Sequence, residues 1–294
     1  MAEPGAVTRV EVAGRTLALT SLDKLLYPAT ETTKSEILHY YACVGPILLR
    51  HLRNRPVTRV RWPHGVEGPS FFEKNLPSGA PTWLPRVRID DVTYPLIADL
   101  ADLTYLANLN SLEFHVPQWR ITPDGVRGNP NRLVIDLDPG KPAGLRECAQ
   151  VALHVRERLS ALGLAVVPVT SGSKGMQLYA PLGGDLTSDQ VRDLAQRLAA
   201  ELTTRFPDLI LWKMTKSLRP GKIFFDWSQN VAAKTTICPY SLRGRATPTV
   251  AFPRTWDEIE RGATGKGALE QVMFEDALAR LERDGDLLAD VLID

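Results

Sequence analysis

Two aspartates, Asp136 and Asp138, follow the apolar run LVI in the segment NRLVIDLDPG, residues 131–140. Successive side chains of a β-strand point to opposite faces, so both carboxylates would lie on one face with their Cα atoms roughly 6.6–7 Å apart. Carboxylates at this spacing can converge on a pair of divalent ions, and such hard oxygen ligands suit Mg²⁺ or Mn²⁺. Taken alone, the pattern fits two acids that cap a loop equally well.

A third aspartate, Asp226, also ends an apolar strand pattern, in KIFFDWSQN. If the two strands are neighbours, its carboxylate would complete a cage for metal ions. The loop TSGSKG (170–175) offers the hydroxyls of Ser171 and Ser173, the ammonium of Lys174 and two glycines. Such a turn can direct backbone N–H groups and a lysine toward phosphates, although it lacks the GxxxxGK[ST] pattern of a P-loop. By itself the loop is typical of an ordinary hairpin.

Clustered cations accompany these acids. The segment MTKSLRPGK supplies Lys216, Arg219 and Lys222, and YSLRGR supplies Arg243 and Arg245. A triphosphate requires several cations to neutralise it, and the planar guanidinium group matches phosphate oxygens. Each motif is ambiguous alone, but three acids, a loop of small residues and clustered arginines together predict metal-dependent nucleotidyl transfer.

The formal net charge of the 294-residue chain is only +1, which hides an uneven distribution. Residues 50–62 contain five arginines and no acid, and residues 213–254 contain eight Lys and Arg against the single acid Asp226. The acid-rich stretch at residues 257–294 offsets them. A basic face of this kind is typical of a polyanion site, with a solvated charged surface as the alternative.

Composition indicates a folded cytoplasmic protein. The fractions of hydrophobic residues, 44%, and charged residues, 23%, are ordinary for a globular chain. The three cysteines, Cys43, Cys148 and Cys238, form no CxxC pair, which disfavours a zinc ribbon or a disulfide framework. No apolar run approaches the ~20 residues of a membrane span, and the first residues lack the apolar core of a signal peptide. We therefore expect no membrane contact.

Local patterns predict the elements that position these residues. A β-hairpin is predicted around Ala13-Gly14, and capping boxes at Thr33 and Thr187 predict helix starts, the first helix being interrupted or kinked near Pro46. Further strands are predicted at 55–62, 70–74, 113–121, 132–138, 164–169, 176–180, 209–214, 222–227 and 234–238. Further helices are predicted at 99–111 and 144–162 and from about 255 and 269. These elements predict an α+β (mixed α/β) fold, with residues 1–294 as a single domain.

In this combination the sequence resembles the polymerase domain of bacterial ATP-dependent DNA ligase D, in the archaeo-eukaryotic primase superfamily. The resemblance covers about residues 15–256 in the family's order. It rests on LDKLLYPATETTK, RPVTRVRWPHGV, FFEKN, EFHVPQW, VIDLDPG, VTSGSKG, MTKSLRPGKIFFDWSQN and KTTICPYSLRGR. It implies a primase-polymerase fold with central mixed or antiparallel sheets flanked by helices. It also implies template-dependent nucleotide addition at DNA ends or gaps in Ku-dependent non-homologous end joining, with ribonucleotides preferred.

The resemblance also implies roles for individual residues. Two Mn²⁺ or Mg²⁺ ions would be bound by Asp136, Asp138 and Asp226. The incoming NTP or dNTP would be contacted by His115, Ser171, Ser173, Lys174, Gln229 and Arg243, to which the cation cluster adds Lys216 and Arg219. Phe71 and Phe72 would stack on the template, although strand alternation lets only one of them face the DNA freely. The family commonly has histidine where this chain has Gln177, which can hydrogen-bond a phosphate or an acid but carries no charge.

Lys24 and Lys34 match the positions at which the family binds the 5′-phosphate downstream of a gap. Lys34 lies in the first turn of a capped helix, where a cation opposes the helix dipole unless an anion docks there. The partners implied are double-stranded ends or gapped DNA with a 5′-phosphate, nucleoside triphosphates, Ku and a DNA ligase, at the bacterial nucleoid.

Three other functions remain open from the sequence. A primase would start chains without a primer, a non-catalytic scaffold would bind DNA ends only, and a metal-dependent nuclease would share the acids. The sequence also leaves open whether the chain is a stand-alone polymerase or part of a longer ligase.

Overall fold

A six-stranded sheet carries the three aspartates. The computed structural model describes residues 7–289. In spatial order, with strands numbered along the chain, this sheet contains β15 (Ile210–Leu211), β16 (Ile223–Asp226), β12 (Arg132–Pro139), β14 (Met176–Pro181), β13 (Val167–Thr170) and β19 (Phe252–Pro253). Only the β15–β16 pair is parallel. The predicted mixed sheet is therefore confirmed.

A four-stranded antiparallel sheet carries the histidine and the two phenylalanines. In spatial order it contains β17 (Thr236–Ile237), β9 (Ser111–Val116), β5 (Thr58–Arg61) and β6 (Phe71–Glu73). Buried side chains such as Phe114 and Val116 fix β9 in the interior. Strand β6 is an edge strand, which leaves its two aromatic side chains accessible to a ligand.

Ten short strands form five antiparallel pairs around these sheets. They are β1 (Val7–Val12) with β2 (Arg15–Thr20), β3 (Leu25–Tyr27) with β4 (Thr32–Thr33), β7 (Arg86–Ile89) with β8 (Val92–Pro95), β10 (Trp119–Ile121) with β11 (Arg127–Pro130), and β18 (Thr249–Val250) with β20 (Val272–Met273). The β1–β2 pair is the predicted hairpin. Its turn residues Ala13 and Gly14 both have positive φ, as a tight two-residue turn requires.

Helices pack around the sheets. Those of the described residues are α1 (Lys34–Leu52), α2 (Leu100–Asn108), α3 (Leu145–Ser160), α4 (Ser188–Arg205), α5 (Trp256–Thr264) and α6 (Phe274–Asp284). The predicted capping boxes at Thr33 and Thr187 are both present. Helix α1 passes through Pro46 without interruption, because buried residues on either side, including Tyr41 and Leu48, hold it against the core.

Alternation along β12 separates packing from chemistry. Leu133 and Leu137 are fully buried against the layer of α3, α4 and α5. Each such side chain contributes about 1.5–3 kcal/mol to stability. Val134, Asp136 and Asp138 point to the opposite face, which looks toward the four-stranded sheet. The apolar face therefore holds rigid the strand that presents the acids.

Two predicted elements differ from the structure. The strand predicted at 113–121 is two strands in different sheets, β9 and β10, because Pro117 between them has no N–H for a ladder bond. The helix predicted from about 269 begins at Phe274, since Val272 and Met273 first pair with β18. The first difference follows from a local residue, and the second depends on pairing with a distant strand.

Gly175 controls how closely the TSGSKG loop approaches β12. A Cβ atom at this position would lie 2.2 Å from the backbone oxygen of Leu137 and 3.0 Å from Cδ of Pro139. We expect Gly175→Ala to lower the free energy of unfolding by at least about 1–3 kcal/mol in urea denaturation. The control is Gly267→Ala, whose Cβ would meet only Cβ of Arg261 at 3.7 Å. Equal stability of the two variants would contradict this.

Candidate active site

The three aspartates meet on one face of the six-stranded sheet. Asp136 in β12 lies directly opposite Asp226 in β16, and Asp138 lies opposite Phe224. Burial, together with the charges of Asp138 and Asp226, raises the pKa of Asp136 to about 7. The site thus concentrates negative charge, and a cation placed among the acids would relieve their repulsion.

Hydrogen bonds hold the carboxylate of Asp226. It caps the short 3₁₀ helix Trp227–Asn230 and accepts from the backbone N–H of Ser228 at 3.0 Å and from the hydroxyl of Ser228. Nε2 of Gln229 donates to its other oxygen at 3.0 Å. Lys234 donates to the Ser228 hydroxyl, and its Nζ lies 4.0 Å from Asp226. Gln229, expected at the phosphates, therefore contacts the acid.

The residues fit a divalent cation in type and placement, but their side chains are not in ligand geometry. Three hard carboxylates converge by strand register, and burial together with the charges of Asp138 and Asp226 raises the pKa of Asp136. Within residues 7–289 no group of three His, Cys, Asp or Glu side chains is arranged to hold a metal ion. The bonds to Ser228 and Gln229 explain why Asp226 is held aside.

Gln177 lies directly across from Asp136 on β14. Its hydrogen bond to Asp136 lowers the pKa of that carboxyl and so opposes the rise caused by burial. Its Oε1 accepts a hydrogen bond from the hydroxyl of Tyr179 at 2.8 Å. Both ends of the amide are thus engaged, and Gln177 contacts the acid directly.

The TSGSKG loop differs from its expected role. The N–H groups of Ser173 and Gly175 donate to the hydroxyl oxygen of Ser171, each at 3.3 Å, and the N–H of Gly172 donates to Gln271 at 2.7 Å. These three backbone donors therefore stabilise the loop and are not directed at a ligand. Ser171 is buried, whereas Lys174 is exposed and its Nζ lies 3.8 Å from Asp138.

His115 and Arg243 are joined by a carboxylate, Glu113. Oε2 of Glu113 lies 2.7 Å from Nε2 of His115, and Oε1 lies 3.2 Å from Nε of Arg243. Oε1 also accepts from the N–H of Gly244 at 2.9 Å. Burial raises the pKa of Glu113, but His115, Arg243 and Gly244 outweigh it and lower the pKa to about 2. The charge of Arg243 also acts on Asp136, so this group borders the acids.

Lys216 and Arg219 lie in the connection between β15 and β16, around a 3₁₀ turn at Lys216–Leu218. The guanidinium of Arg219 stacks on the ring of Phe224, 3.7 Å from its centroid. Because Phe224 is the cross-strand neighbour of Asp138, Arg219 lies at the rim of the acidic face. Lys216 is exposed in the same connection.

Phe71 and Phe72 are both exposed, with 48% and 58% of their surface accessible. Both are accessible because β6 is an edge strand, although they point to opposite faces. Phe72 shares the face of Glu113 across Val60, and its ring lies 6.2 Å from that of His115. Phe72 is therefore the phenylalanine on the side of the site.

Lys34, in the first turn of α1, is buried. Its Nζ donates to the backbone oxygen of Thr20 at 2.7 Å. Burial, and then the charge of Lys24, lowers the pKa of Lys34 to about 8. Lys24 donates to the backbone oxygen of Pro63. Among the described residues no carboxylate forms an ion pair with either ammonium group.

The N-terminal amides of α1 are not free, contrary to expectation. The N–H of Lys34 donates to the oxygen of Lys24 at 2.8 Å, and that of Ser35 donates to the oxygen of Leu22 at 2.9 Å. The N–H of Glu36 donates to the Thr33 hydroxyl. An anion at this position would therefore be bound by the two ammonium groups rather than by the helix terminus.

Sequence reasoning missed Glu113, Ser228 and Lys234. Glu113 stands two residues before His115, so strand alternation already placed them on one face. Ser228 follows Asp226 at the spacing of a helix cap, and Lys234 begins the segment KTTICPYSLRGR. The contact of Lys234 with Ser228 could not be found from spacing because the 3₁₀ turn determines it.

Comparisons with known proteins agree with this geometry. The family model for the LigD primase-polymerase domain matches residues 33–288. The multifunctional non-homologous end joining DNA repair protein LigD of Mycobacterium tuberculosis is 49% identical over 281 residues, which are 92% of this chain and 36% of that protein. The bifunctional non-homologous end joining protein LigD of Bacillus subtilis is 36% identical over 249 residues, 84% of this chain and 40% of that protein.

A solved structure is similar over nearly the whole chain. The polymerase domain of Mycobacterium tuberculosis ligase D, in complex with DNA, has a TM-score of 0.90 and 48% identity, covering 95% of this chain and 98% of that one. The fold is thus that of a primase-polymerase. The chain belongs to the family of LigD primase-polymerase domains. It spans about a third of the length of its Mycobacterium relatives.

No helix in the described part of the chain combines the length and the apolar character needed to cross a membrane.

The raised pKa of Asp136 predicts a pH dependence of stability. Between its ordinary value of 3.8 and about 7, the folded protein keeps a proton that the unfolded chain releases. The free energy of unfolding should therefore fall as pH rises through this window. We expect Asp136→Asn to remove this slope and to stabilise the protein at pH 8 by about 1–3 kcal/mol.

Urea denaturation between pH 4 and 8 in the presence of EDTA measures this difference. The control is Asp208→Asn, at an exposed position. Identical slopes for wild type and Asp136→Asn would show that the carboxyl does not titrate in this window.

Proposed function

We propose that this chain catalyses template-directed nucleotide addition at DNA ends or gaps in non-homologous end joining. The observation that carries the proposal is the convergence of three acids and a set of phosphate-matching cations on facing sheets. The family and the names of the relatives support the reaction class and the repair process. Extension of a gapped duplex by the purified chain, with each nucleotide set, tests it.

The metal ions of the reaction would be held by Asp136, Asp138 and Asp226, and we propose two ions, Mn²⁺ or Mg²⁺. Bound there, such ions would lower the pKa of the primer 3′-hydroxyl and neutralise charge on the triphosphate. The protein's own contribution is rigidity, because β12 and β16 are adjacent in one sheet. Asp226 would have to turn from its bonds with Ser228 and Gln229.

The triphosphate would be bound by the cations around the acids. Lys174 and Arg243 flank them from two sides, and Ser173 lies in the same loop as Lys174. Arg219 and the exposed Lys216 would approach from the rim. The bond of Gln177 with Asp136 suggests that this glutamine acts on the acid, with nucleotide contact as its secondary role.

DNA would lie across the face that carries Phe72, whose exposed ring can stack on a template base. The similar structure from Mycobacterium tuberculosis was determined with DNA, which supports DNA as the partner. We further propose that Ku and a DNA ligase cooperate with this chain in the bacterial cytoplasm, at the nucleoid. The chain would act as one unit over residues 1–294.

Replacing the proposed metal-binding acids should abolish nucleotide addition and leave DNA binding nearly unchanged. We expect Asp136→Ala or Asp138→Ala to reduce nucleotide addition by at least ~10³-fold, because transition-state charge loses several kcal/mol of stabilisation. Binding of gapped DNA should remain within about threefold of wild type, because neither carboxylate is proposed to contact the DNA. Primer extension in Mg²⁺ and in Mn²⁺ measures the first effect and fluorescence anisotropy the second. Near-normal extension by either variant would refute the assignment.

We also propose that ribonucleotides are inserted in preference to deoxyribonucleotides. His115 lies in the site with one ring nitrogen on Glu113, so its other nitrogen is available to a sugar hydroxyl. A missing hydroxyl would leave a polar group unpaired at a cost of ~1–3 kcal/mol. Competition between rNTP and dNTP at a single gap measures the preference, and equal insertion would exclude it.

The lysine pair predicts recognition of a 5′-phosphate. The charge of Lys24 acts on the ammonium group of the buried Lys34, so an anion near both would relieve their repulsion. We expect a 5′-phosphate to tighten binding to gapped DNA by up to about 1.5–3 kcal/mol for each contact, less where solvent screens it. Lys24→Ala combined with Lys34→Met should erase this gain while keeping extension of single-stranded primer ends.

Titration of duplexes that differ only in the 5′-phosphate, at fixed salt, measures this gain. Lys266→Ala, an exposed lysine after α5, is the matched control and should keep the wild-type preference. Equal affinity of the wild type for both duplexes would show that the lysine pair has no phosphate to bind.

A further inference from the structure

Glu113 is the least expected residue of the site. It carries negative charge, whereas the residues around it are proposed to bind a negatively charged triphosphate. Only 5% of its surface is exposed, and it lies on β9 two residues before His115. Nε2 of His115 and the N–H of Gly244 lie within hydrogen-bond distance of its two oxygens, and Nε of Arg243 forms an ion pair with it at 3.2 Å. A buried carboxylate with three such partners has a structural reason to stay ionised.

An ionised carboxylate accepts hydrogen bonds and donates none. The ring nitrogen that faces Glu113 is Nε2 of His115, at 2.7 Å, so this nitrogen must carry a proton. In a neutral imidazole the other nitrogen is then unprotonated and accepts a hydrogen bond. The low pKa of Glu113, about 2, agrees with a carboxylate that is charged near neutral pH.

We propose that Glu113 is a positioning residue that holds His115 in the Nε2–H tautomer, so that Nδ1 accepts a hydrogen bond from the 2′-hydroxyl of the incoming nucleotide. The tautomer proposal rests on the proposed function, and it identifies His115, held by Glu113, as the group that selects the sugar of the nucleotide. The same carboxylate forms an ion pair with Nε of Arg243, whose Nη1 donates to the backbone oxygen of Ser171 at 3.5 Å. One buried acid would thus align the sugar contact and a phosphate contact together.

The tautomer is measured directly by ¹⁵N NMR of histidine-labelled protein without nucleotide. His115→Gln identifies the signal among the five histidines of the chain. We expect the wild type at pH 7.5 to show a protonated Nε2 and an unprotonated Nδ1. In Glu113→Gln, whose amide can donate as well as accept, the preference for this tautomer should be lost.

Nucleotide analogues measure the consequence for selectivity. An accepting Nδ1 requires a 2′ group that can donate, so the wild type should favour the 2′-hydroxyl over 2′-deoxy, 2′-fluoro and 2′-O-methyl nucleotides by roughly tenfold in KM. In Glu113→Gln these ratios should shrink to within about twofold, even if the loss of the Arg243 contact raises KM for every nucleotide. The ratio, not the absolute KM, is the readout.

Glu73→Gln is the matched control. Glu73 is also a carboxylate of the four-stranded sheet that pairs with arginines, here Arg59 and Arg61. It lies across from Arg59 and Phe114, on the face opposite to Glu113. This variant should keep both the His115 tautomer and the wild-type ratios.

Three results would overturn the proposal: an Nδ1–H tautomer in the wild type, a doubly protonated ring there, or unchanged ratios in Glu113→Gln. If Glu113→Gln does not fold, the wild-type spectrum alone decides the tautomer. A wild type that adds no nucleotide to any primer would refute the proposed function instead, and the spectrum would still report on Glu113.

Discussion

Mutual repulsion among Asp136, Asp138 and Asp226 is the constraint on which the rest of the site depends. Strand register places the three carboxylates on one face, and burial, together with the charges of Asp138 and Asp226, raises the pKa of Asp136. Surrounding groups partly offset the negative charge. Lys174 lies near Asp138, Lys234 lies near Asp226, and the amide of Gln177 is hydrogen-bonded to Asp136. A site built in this way is ready to bind positive charge, and a divalent ion supplies it more compactly than a lysine.

The two sheets carry different residues of the site. The six-stranded sheet supplies the acids, and its other face is packed against helices, so that the acids cannot move apart without loss of core burial. The four-stranded sheet supplies Glu113, His115 and Phe72, which share one face of the sheet. The rings of Phe72 and His115 are 6.2 Å apart, so the residues proposed for template and nucleotide are neighbours.

Buried charge recurs away from the acids. Within residues 7–289, Lys34 is buried without an acidic partner, and the charge of Lys24 acts on it. Removing an ammonium group from water is unfavourable unless another group compensates, and here the backbone oxygen of Thr20 accepts from Nζ at 2.7 Å. The site face and the lysine pair would then contact one DNA molecule at two separate phosphates.

The sequence by itself determined the local elements and the chemical class of the site. Alternation placed Asp136 and Asp138 on one face, capping residues located the starts of α1 and α4, and the clustered cations indicated a phosphate ligand. These features could be predicted because they depend on neighbours within a few residues. The tertiary structure alone decided that Asp226 lies opposite Asp136, that Glu113 joins His115 to Arg243, and that Lys34 is buried. It also turned the loop amides inward. Those outcomes depend on which distant strands pair and which side chains lose their water, and neither is encoded in local spacing.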